Sequence, residues 1–138
     1  MAITRQKIQP DGIHVRRIGG QAMYTQVVTV TGSGKTIYVA GQLARDAQGN
    51  LVGKGDMRAQ IQQVGENIKL CLEAVGATLA DIVKTNTYVT DFDEFQKCAD
   101  VRMRYLGIAT PTSTTVGVTR LAGPDFMIEI EAVAAVDA

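Results

Sequence analysis

The sequence is poor in the residues that most metal-binding and hydrolytic sites use. Its 138 residues include no tryptophan, one histidine and two cysteines. Zinc sites need closer cysteine pairs or more ligands than Cys71 and Cys98 provide. His14 alone cannot supply a Ser/His or Cys/His catalytic constellation. Both cysteines fall on apolar stripes of predicted helices, so we interpret them as small buried hydrophobic residues of a reducing cytoplasm.

The sequence also lacks an excess of charge and long apolar runs. Lysine and arginine total 14 against 14 acidic residues, and aromatic residues make up 5%. A dedicated nucleic-acid binder usually shows a basic footprint and stacking platforms, and neither is present. The N-terminal segment lacks the apolar core of a signal peptide, and no run is long enough for a membrane helix. We therefore expect a cytoplasmic, single-domain protein (residues 1–138) that binds neither nucleic acid nor membrane.

Apolar periodicity predicts an α+β fold with the element order β-β-β-α-β-α-β-β. Asp56 is a candidate N-cap and Gly76 a candidate end for the first helix, whereas Asp91 and Gly107 bracket the second. The predicted strands cover residues 13–17, 26–30, 36–40, 82–90, 112–119 and 126–133, and the predicted helices cover residues 56–75 and 91–106. The two helices should cover one face of a mixed sheet.

The second and third predicted strands are joined by TGSGK, which predicts a β-hairpin. The same letters suggest a phosphate-binding loop, but that motif needs a glycine where Thr29 stands. It also has to open a helix, and here a strand follows. We therefore interpret the segment as a hairpin turn.

The last predicted strand has a polar set and an apolar set of alternating side chains. Small apolar residues should meet the helices, which places Met127, Glu129, Glu131 and Val133 on the uncovered face. A half-apolar face with isolated carboxylates suits burial against another copy of the chain. The pattern predicts a homo-oligomer with sites where subunits meet.

Several motifs together resemble the RidA/YjgF family of enamine/imine deaminases. They are the Gly41-Gln42 pair, a helix that contains Gln60 and Asn67, and the segments GATLADIVK, PTSTTVGV and IEIEA, spread over residues 24–133. The resemblance implies a fold similar to chorismate mutase of the trimeric, barrel-like (bacillar) type, in a homotrimer with clefts between subunits. It implies hydrolysis of a reactive enamine or imine, such as 2-aminoacrylate, to a keto compound and ammonia. It implies no metal and no organic cofactor, and a small-molecule substrate.

The site that the resemblance implies is only partly conserved in this chain. Glu129 matches the acidic residue thought to position water, Tyr24 matches the cleft tyrosine, and Gly41 is the glycine of the Gly-Gln pair. The family's carboxylate-binding arginine is replaced by Ser113, which shares its strand face with Thr115. A serine gives one neutral hydrogen bond where a guanidinium gives two charge-assisted ones. The cleft asparagine of the family corresponds to Ala99.

Three of the candidate site residues also have a purely structural interpretation. Glu129 would serve equally as a hydrogen-bonded side chain at a subunit interface, and Tyr24 as interface packing. Arg102, one turn beyond Ala99 on the second helix, is a candidate to replace the missing arginine, with a solvated helix position as the alternative. Two functions remain in competition: a deaminase with a substrate other than 2-aminoacrylate, and a non-catalytic trimer that binds a small metabolite or a protein. The balanced charge disfavours the RNA cleavage described in older accounts of the family.

Overall fold

A computed structural model describes residues 2–138, and its centre is a four-stranded mixed sheet. The sheet order is β5-β8-β6-β7, where β6 and β7 are parallel and the other neighbours are antiparallel. The strands are β1 (Thr4–Ile8), β2 (Arg17–Ile18), β3 (Gln21–Ala22), β4 (Val27–Thr31), β5 (Gly34–Gln42), β6 (Ile82–Val89), β7 (Thr112–Gly117) and β8 (Ile128–Asp137), and the helices are α1 (Met57–Glu73), α2 (Phe92–Lys97) and α3 (Ala99–Leu106), with a short 3-10 turn at Leu79–Asp81. β7 is one edge of the sheet and β5 the other.

Helix α1 begins and ends where its sequence signals predict. The Asp56 carboxylate accepts a hydrogen bond from the Ala59 N–H at 3.1 Å, which caps the first turn. Gly76 has a φ of +77°, the left-handed conformation that commonly follows a helix end. The predicted apolar stripe is buried, and Val64 and Ile68 are fully inaccessible. This stripe holds the helix against the sheet.

The second predicted helix is in fact two helices, α2 and α3, so the prediction of one continuous helix was wrong. Asp91 caps α2 as predicted, accepting a hydrogen bond from Glu94 at 3.0 Å. Cys98 then leaves helical geometry at φ −106°, ψ 26°. Residues six apart on a continuous helix differ by about 120° in direction. The break allows Phe95 and Val101, both at most 2% exposed, to face the same core.

The predicted N-terminal pairing was also wrong. β4 and β5 lie where strands were predicted, but β4 pairs with β1 instead of forming a hairpin with β5. The chain before β1 crosses closely over Gly32 and Gly34, where any Cβ would collide with Ala2 or Ile3. These two glycines make room for the N-terminal strand. The predicted opening strand at residues 13–17 is replaced by the two-residue strands β2 and β3.

The two faces of the sheet differ as the alternation in β8 predicts. Ile128, Ile130, Ala132 and Ala134 are buried beneath the helices, while Glu129, Glu131 and Val133 are only half-buried on the opposite side. We call that side, which no helix covers, the open face. Met127 was predicted on the open face but lies just before β8 and packs partly against the core. Its N–H donates to the buried Gln60 side chain at 2.8 Å, which holds the segment before β8 against helix α1.

No helix within residues 2–138 combines the length and the apolarity that crossing a bilayer requires.

Candidate functional site

The six predicted site residues fall into two groups on opposite faces of the sheet. Ser113 pairs with Thr85, which is 1% exposed beneath the helices, so Ser113 and Thr115 project to the helix-covered side. Glu129 pairs with Tyr88, three residues after Thr85, and therefore projects to the open face. The sheet therefore separates the hydroxyls of β7 from the glutamate of β8. Within one chain they do not meet.

Four of the six residues line one cavity, which we call the edge cavity because it lies beside the edge strand β7. Tyr24, Arg102, Ser113 and Thr115 enclose a volume of about 230 Å³ with residues from α2 and the β2–β3 hairpin. The remaining lining residues are Arg16, Met23, Phe92, Phe95 and Gln96. The lining combines aromatic residues, hydroxyl-bearing residues and two arginines, which is a composition suited to a small polar ligand.

Backbone hydrogen bonds hold Tyr24 at the edge cavity. The next residue, Thr25, donates its N–H to the carbonyl of Pro111 at 3.0 Å and its hydroxyl to the carbonyl of Thr110. On the other side, the Gln9 side chain donates to the Tyr24 carbonyl at 3.0 Å. The segment that carries the tyrosine is thereby fastened directly to the start of β7.

Arg102 is oriented by an aromatic ring and lacks a counter-ion. Its guanidinium carbon lies 4.9 Å from the centre of the Phe95 ring, within cation–π range. The side chain is half-buried and forms no ion pair within residues 2–138. Burial, and secondly the positive charge of Arg16, lower the pKa of Arg102 from its usual value. Arg102 is therefore a half-buried cation whose neighbouring charge, Arg16, has the same sign.

Sequence reasoning did not identify Arg16 as part of this site. Its carbonyl accepts a hydrogen bond from the Met23 N–H at 2.9 Å, so it lies beside the β2–β3 hairpin opposite the cavity-lining Met23. The segment was predicted as an ordinary strand, and no local pattern connects it to α3. Only the tertiary packing brings Arg16 to Arg102.

On the open face, Glu129 lies directly against the backbone of Gly41. A Cβ at position 41 would collide with the Glu129 carboxylate, and it would lie only 2.9 Å from the carboxylate carbon. The register of β5 against β8 shifts between Val39 and Gln42, which places Gly41 in an irregular stretch of the strand. The absence of a side chain at Gly41 is what allows this approach. Within the described chain, the group that lies against Gly41 is the carboxylate of Glu129.

The second glutamate of the strand, Glu131, is fully engaged with neighbouring side chains. Asn86 donates to its carboxylate at 3.0 Å and the Tyr88 hydroxyl donates at 2.9 Å. The bond from Asn86 first, then that from Tyr88, and also the charge of Lys84, lower the pKa of Glu131, while burial opposes them. The bond to Glu131 likewise raises the pKa of Tyr88. This cluster was not predicted, although alternation in the segments NTY and IEIE places Asn86, Tyr88 and Glu131 on the same face of their strands.

The two glutamates therefore differ in availability. Within the described chain, Glu129 accepts no hydrogen bond from another side chain or from the backbone, whereas Glu131 accepts two. Glu131 is held ionised as a structural anion. Glu129 keeps its carboxylate oxygens free for water or a ligand.

Within residues 2–138, no three His, Cys, Asp or Glu side chains are grouped closely enough to hold a metal ion. Cys71 and Cys98 are both free. Cys98 is buried as predicted at 6% exposure, and burial is the main cause that raises the pKa of its thiol. Cys71 is half-buried against the core.

Comparison with known protein families gives a match over most of the chain. The family model described as endoribonuclease L-PSP matches residues 15–136, which include all six predicted site residues and every element except β1 and the last residue of β8. A RutC family protein of Pyrococcus abyssi is 40% identical over 111 residues, covering 80% of this chain and 84% of that protein.

Of two further relatives, one is named after an enzymatic activity and the other has a solved structure. A 2-iminobutanoate/2-iminopropanoate deaminase of Dermatophagoides farinae is 32% identical over 114 residues, covering 83% of this chain and 86% of that protein. The crystal structure of YyfB, a Rid family protein of unknown function from Yersinia pestis, superposes with a TM-score of 0.79 at 37% identity, covering 94% of this chain and 97% of the other.

Proposed function

The chain belongs to the RidA/YjgF family and has its chorismate-mutase-like fold, and on this premise we propose that it is a hydrolytic deaminase of a reactive enamine or imine. The products are ammonia and a keto compound. One curated relative carries the name of an imine deaminase, which supports this reaction class. The observation that carries the proposal in this chain is the unpartnered Glu129 carboxylate on the backbone of Gly41.

Glu129 has the position and the freedom that the hydrolysis requires. An enamine first tautomerises to an imine, and water then adds to the carbon of the C=N bond. Glu129 accepts a proton from the attacking water and returns it to nitrogen, after which the carbinolamine expels ammonia and leaves the C=O group. A carboxylate already saturated by neighbouring donors, as Glu131 is, would be a poorer base. Tyr24 is the candidate second proton donor.

We propose that the site is completed in a homotrimer. Glu129 and Gly41 lie on the open face, whereas Tyr24 and Ser113 lie at the edge cavity of the same chain on the other side of the sheet. A cleft that contains both groups therefore needs two copies of the chain. The open face also exposes Tyr38 at 79%, and an aromatic side chain so placed suits an interface between subunits.

The substrate is proposed to differ from the 2-aminoacrylate typical of the family. Ser113 occupies the position where the family pattern has an arginine, and a serine hydroxyl holds a carboxylate less strongly by about 1 kcal/mol or more. Substrate binding in this chain has to use Thr115, Ser113 and Arg102 instead, all of which line the edge cavity.

The test uses imines generated in the assay by an amino acid oxidase, with ammonia or keto acid formation measured against the uncatalysed rate. We expect acceleration by the protein and a loss of about 10²- to 10⁴-fold in kcat for Glu129→Gln, since general acid–base catalysis contributes that much. Glu131→Gln is the matched control, because its amide oxygen can still accept from Asn86 and Tyr88. Equal activity of Glu129→Gln and the unsubstituted protein would exclude this mechanism.

The second candidate is a non-catalytic trimer that binds a small metabolite. It is favoured by one observation, the serine in place of the family arginine at position 113. Binding of a ligand that survives Glu129→Gln, together with no acceleration on any generated imine, would favour this function. RNA cleavage is not proposed, because the formal net charge is zero and His14 is the single histidine.

A further inference from the structure

The edge cavity contains two guanidinium groups, and no carboxylate lines it. Its charged lining residues are Arg16 and Arg102, from the β2–β3 region and from α3. We propose that this cavity is an anion subsite in which Arg102, assisted by Arg16, binds the carboxylate of the substrate, and that a second acidic group on the substrate is preferred. The identity of the ligand as an imine rests on the proposed function. The existence of the subsite does not.

The environment of Arg102 is unfavourable for an arginine unless an anion is present. The side chain is half-buried, its counter-ion is lacking within residues 2–138, and the nearest charge that affects it is the like charge of Arg16. A bound carboxylate supplies the missing partner through charge-assisted hydrogen bonds. Stacking on Phe95 holds the guanidinium plane in place before the ligand arrives, which lowers the entropic cost of binding.

Arg102 reaches the same cavity that Ser113 lines, although it comes from a helix and not from the strand. Position 113 on β7 therefore does not need to carry a positive charge for the cavity to contain one. The hydroxyls of Ser113, Thr115 and Tyr24 are available to donate further hydrogen bonds to the same anion or to a polar group beside it. The charge that the family pattern places on β7 is thus supplied from α3 in this chain.

The cavity volume and the number of charges define the class of ligand. About 230 Å³ lies below the range of roughly 300–1,000 Å³ typical of drug-sized ligand sites, so the part of the ligand that this cavity holds is a few carbons in size. Two arginines, with no acidic residue of the same chain in the lining, favour a ligand with two negative charges over one with a single charge. An imine derived from an acidic amino acid, with two carboxylates, fits both requirements.

The subsite is tested first by binding of stable keto acids, measured by titration calorimetry, because binding does not depend on turnover. We expect 2-oxoglutarate to bind more tightly than pyruvate. Arg102→Met should weaken 2-oxoglutarate binding by about ten- to a hundred-fold, as expected when hydrogen bonds to a charged group are lost. Arg102→Lys should weaken it less, since the charge remains and the planar fork is lost.

Arg104→Met is the matched control, because Arg104 lies on the same helix but is exposed and lines a different groove with Glu66. Unchanged binding in Arg102→Met, an equal effect of Arg104→Met, or no binding of either keto acid to the unsubstituted protein would overturn the subsite. Binding that depends on Arg102, without hydrolysis of any imine, would refute the deaminase and leave the subsite standing. Hydrolysis of imines with a KM that Arg102→Met does not change would support the deaminase and refute the subsite.

Discussion

The edge cavity and the open face are the two polar regions that the family resemblance would combine, and they have opposite chemistry. The edge cavity carries Arg16 and Arg102 and is lined by no acid. The open face carries Glu129 and Glu131, with Lys84 as a neighbouring base. Of the two arginines at the cavity, Arg102 is half-buried and Arg16 is exposed, and neither forms an ion pair within residues 2–138, whereas Glu131 on the open face is hydrogen-bonded and Glu129 is free.

This difference shows how one chain can carry both parts of a reaction site without letting them neutralise each other. A free glutamate placed next to Arg102 within one chain would form an ion pair, and neither group would be available to a ligand. The sheet keeps them on opposite faces. Bringing two copies together would place the acid of one near the cations of the other, with the substrate between them.

The largest effect is expected from a substitution that prevents association of the subunits. Tyr38→Glu puts a charge on the open face where the exposed ring of Tyr38 lies beside Val133, and an uncompensated charge is costly to bury. Lys84 lies in the same groove and would offset part of this charge, but the exposed ring that would pack between copies is lost in any case. We expect loss of the trimer in sedimentation velocity and a fall of deaminase activity to the background rate.

Ile108→Glu is the matched control for that experiment. Ile108 is 62% exposed, but it lies beside α3 on the helix-covered side. Its substitution should leave both the assembly and the activity in place. A trimer that persists with Glu at position 38 would contradict the proposal that the open face is the interface.

A smaller effect is expected when only the acid is displaced. Gly41→Ala puts a methyl group where the Glu129 carboxylate lies, and the carboxylate has to move because it is the flexible partner. We expect a kcat loss of about a hundred-fold or more, approaching that of Glu129→Gln, with the thermal unfolding temperature little changed. In Gly117→Ala the added carbon meets only the Val89 carbonyl oxygen at 4.0 Å, so this variant should keep its activity. Full activity in Gly41→Ala would show that the contact with Glu129 has no role.

The smallest effect is expected at Glu131, where the contribution is to stability. Its pKa is lower in the folded chain than in the unfolded chain, so the stability it adds is complete above the unfolded value of about 4.3 and is lost as pH falls through the folded value. Urea unfolding of the unsubstituted protein and of Glu131→Gln should differ at neutral pH and converge in acid. A difference that is independent of pH would contradict the assignment of Glu131 as a structural anion.

The parts of the fold that the sequence predicts are those with local causes. The first helix follows from its apolar stripe and from the caps at Asp56 and Gly76. The two faces of β8 follow from simple alternation. The position of Glu129 on the open face was confirmed for the same reason, since one strand decides which way its own side chains point.

The parts that it does not predict depend on contacts between distant segments. β1 is exposed along its whole length and has no apolar periodicity, so its pairing with β4 leaves no signal in the sequence. The face of Ser113 relative to Glu129 is set by the register of β6 against both of its neighbours, which a single strand cannot reveal. Arg16 joins the edge cavity only through tertiary packing.

The separation of Glu129 and Arg102 by the thickness of the sheet has a genetic consequence. In the proposed trimer each cleft takes its acid from one copy and its cations from a neighbour. A substitution that removes the acid and one that removes a cation therefore affect different subunits of the same cleft. Two impaired alleles, one altered at position 41 and one at position 102, would complement each other when expressed together. About a quarter of the clefts in randomly mixed trimers would contain two undamaged halves.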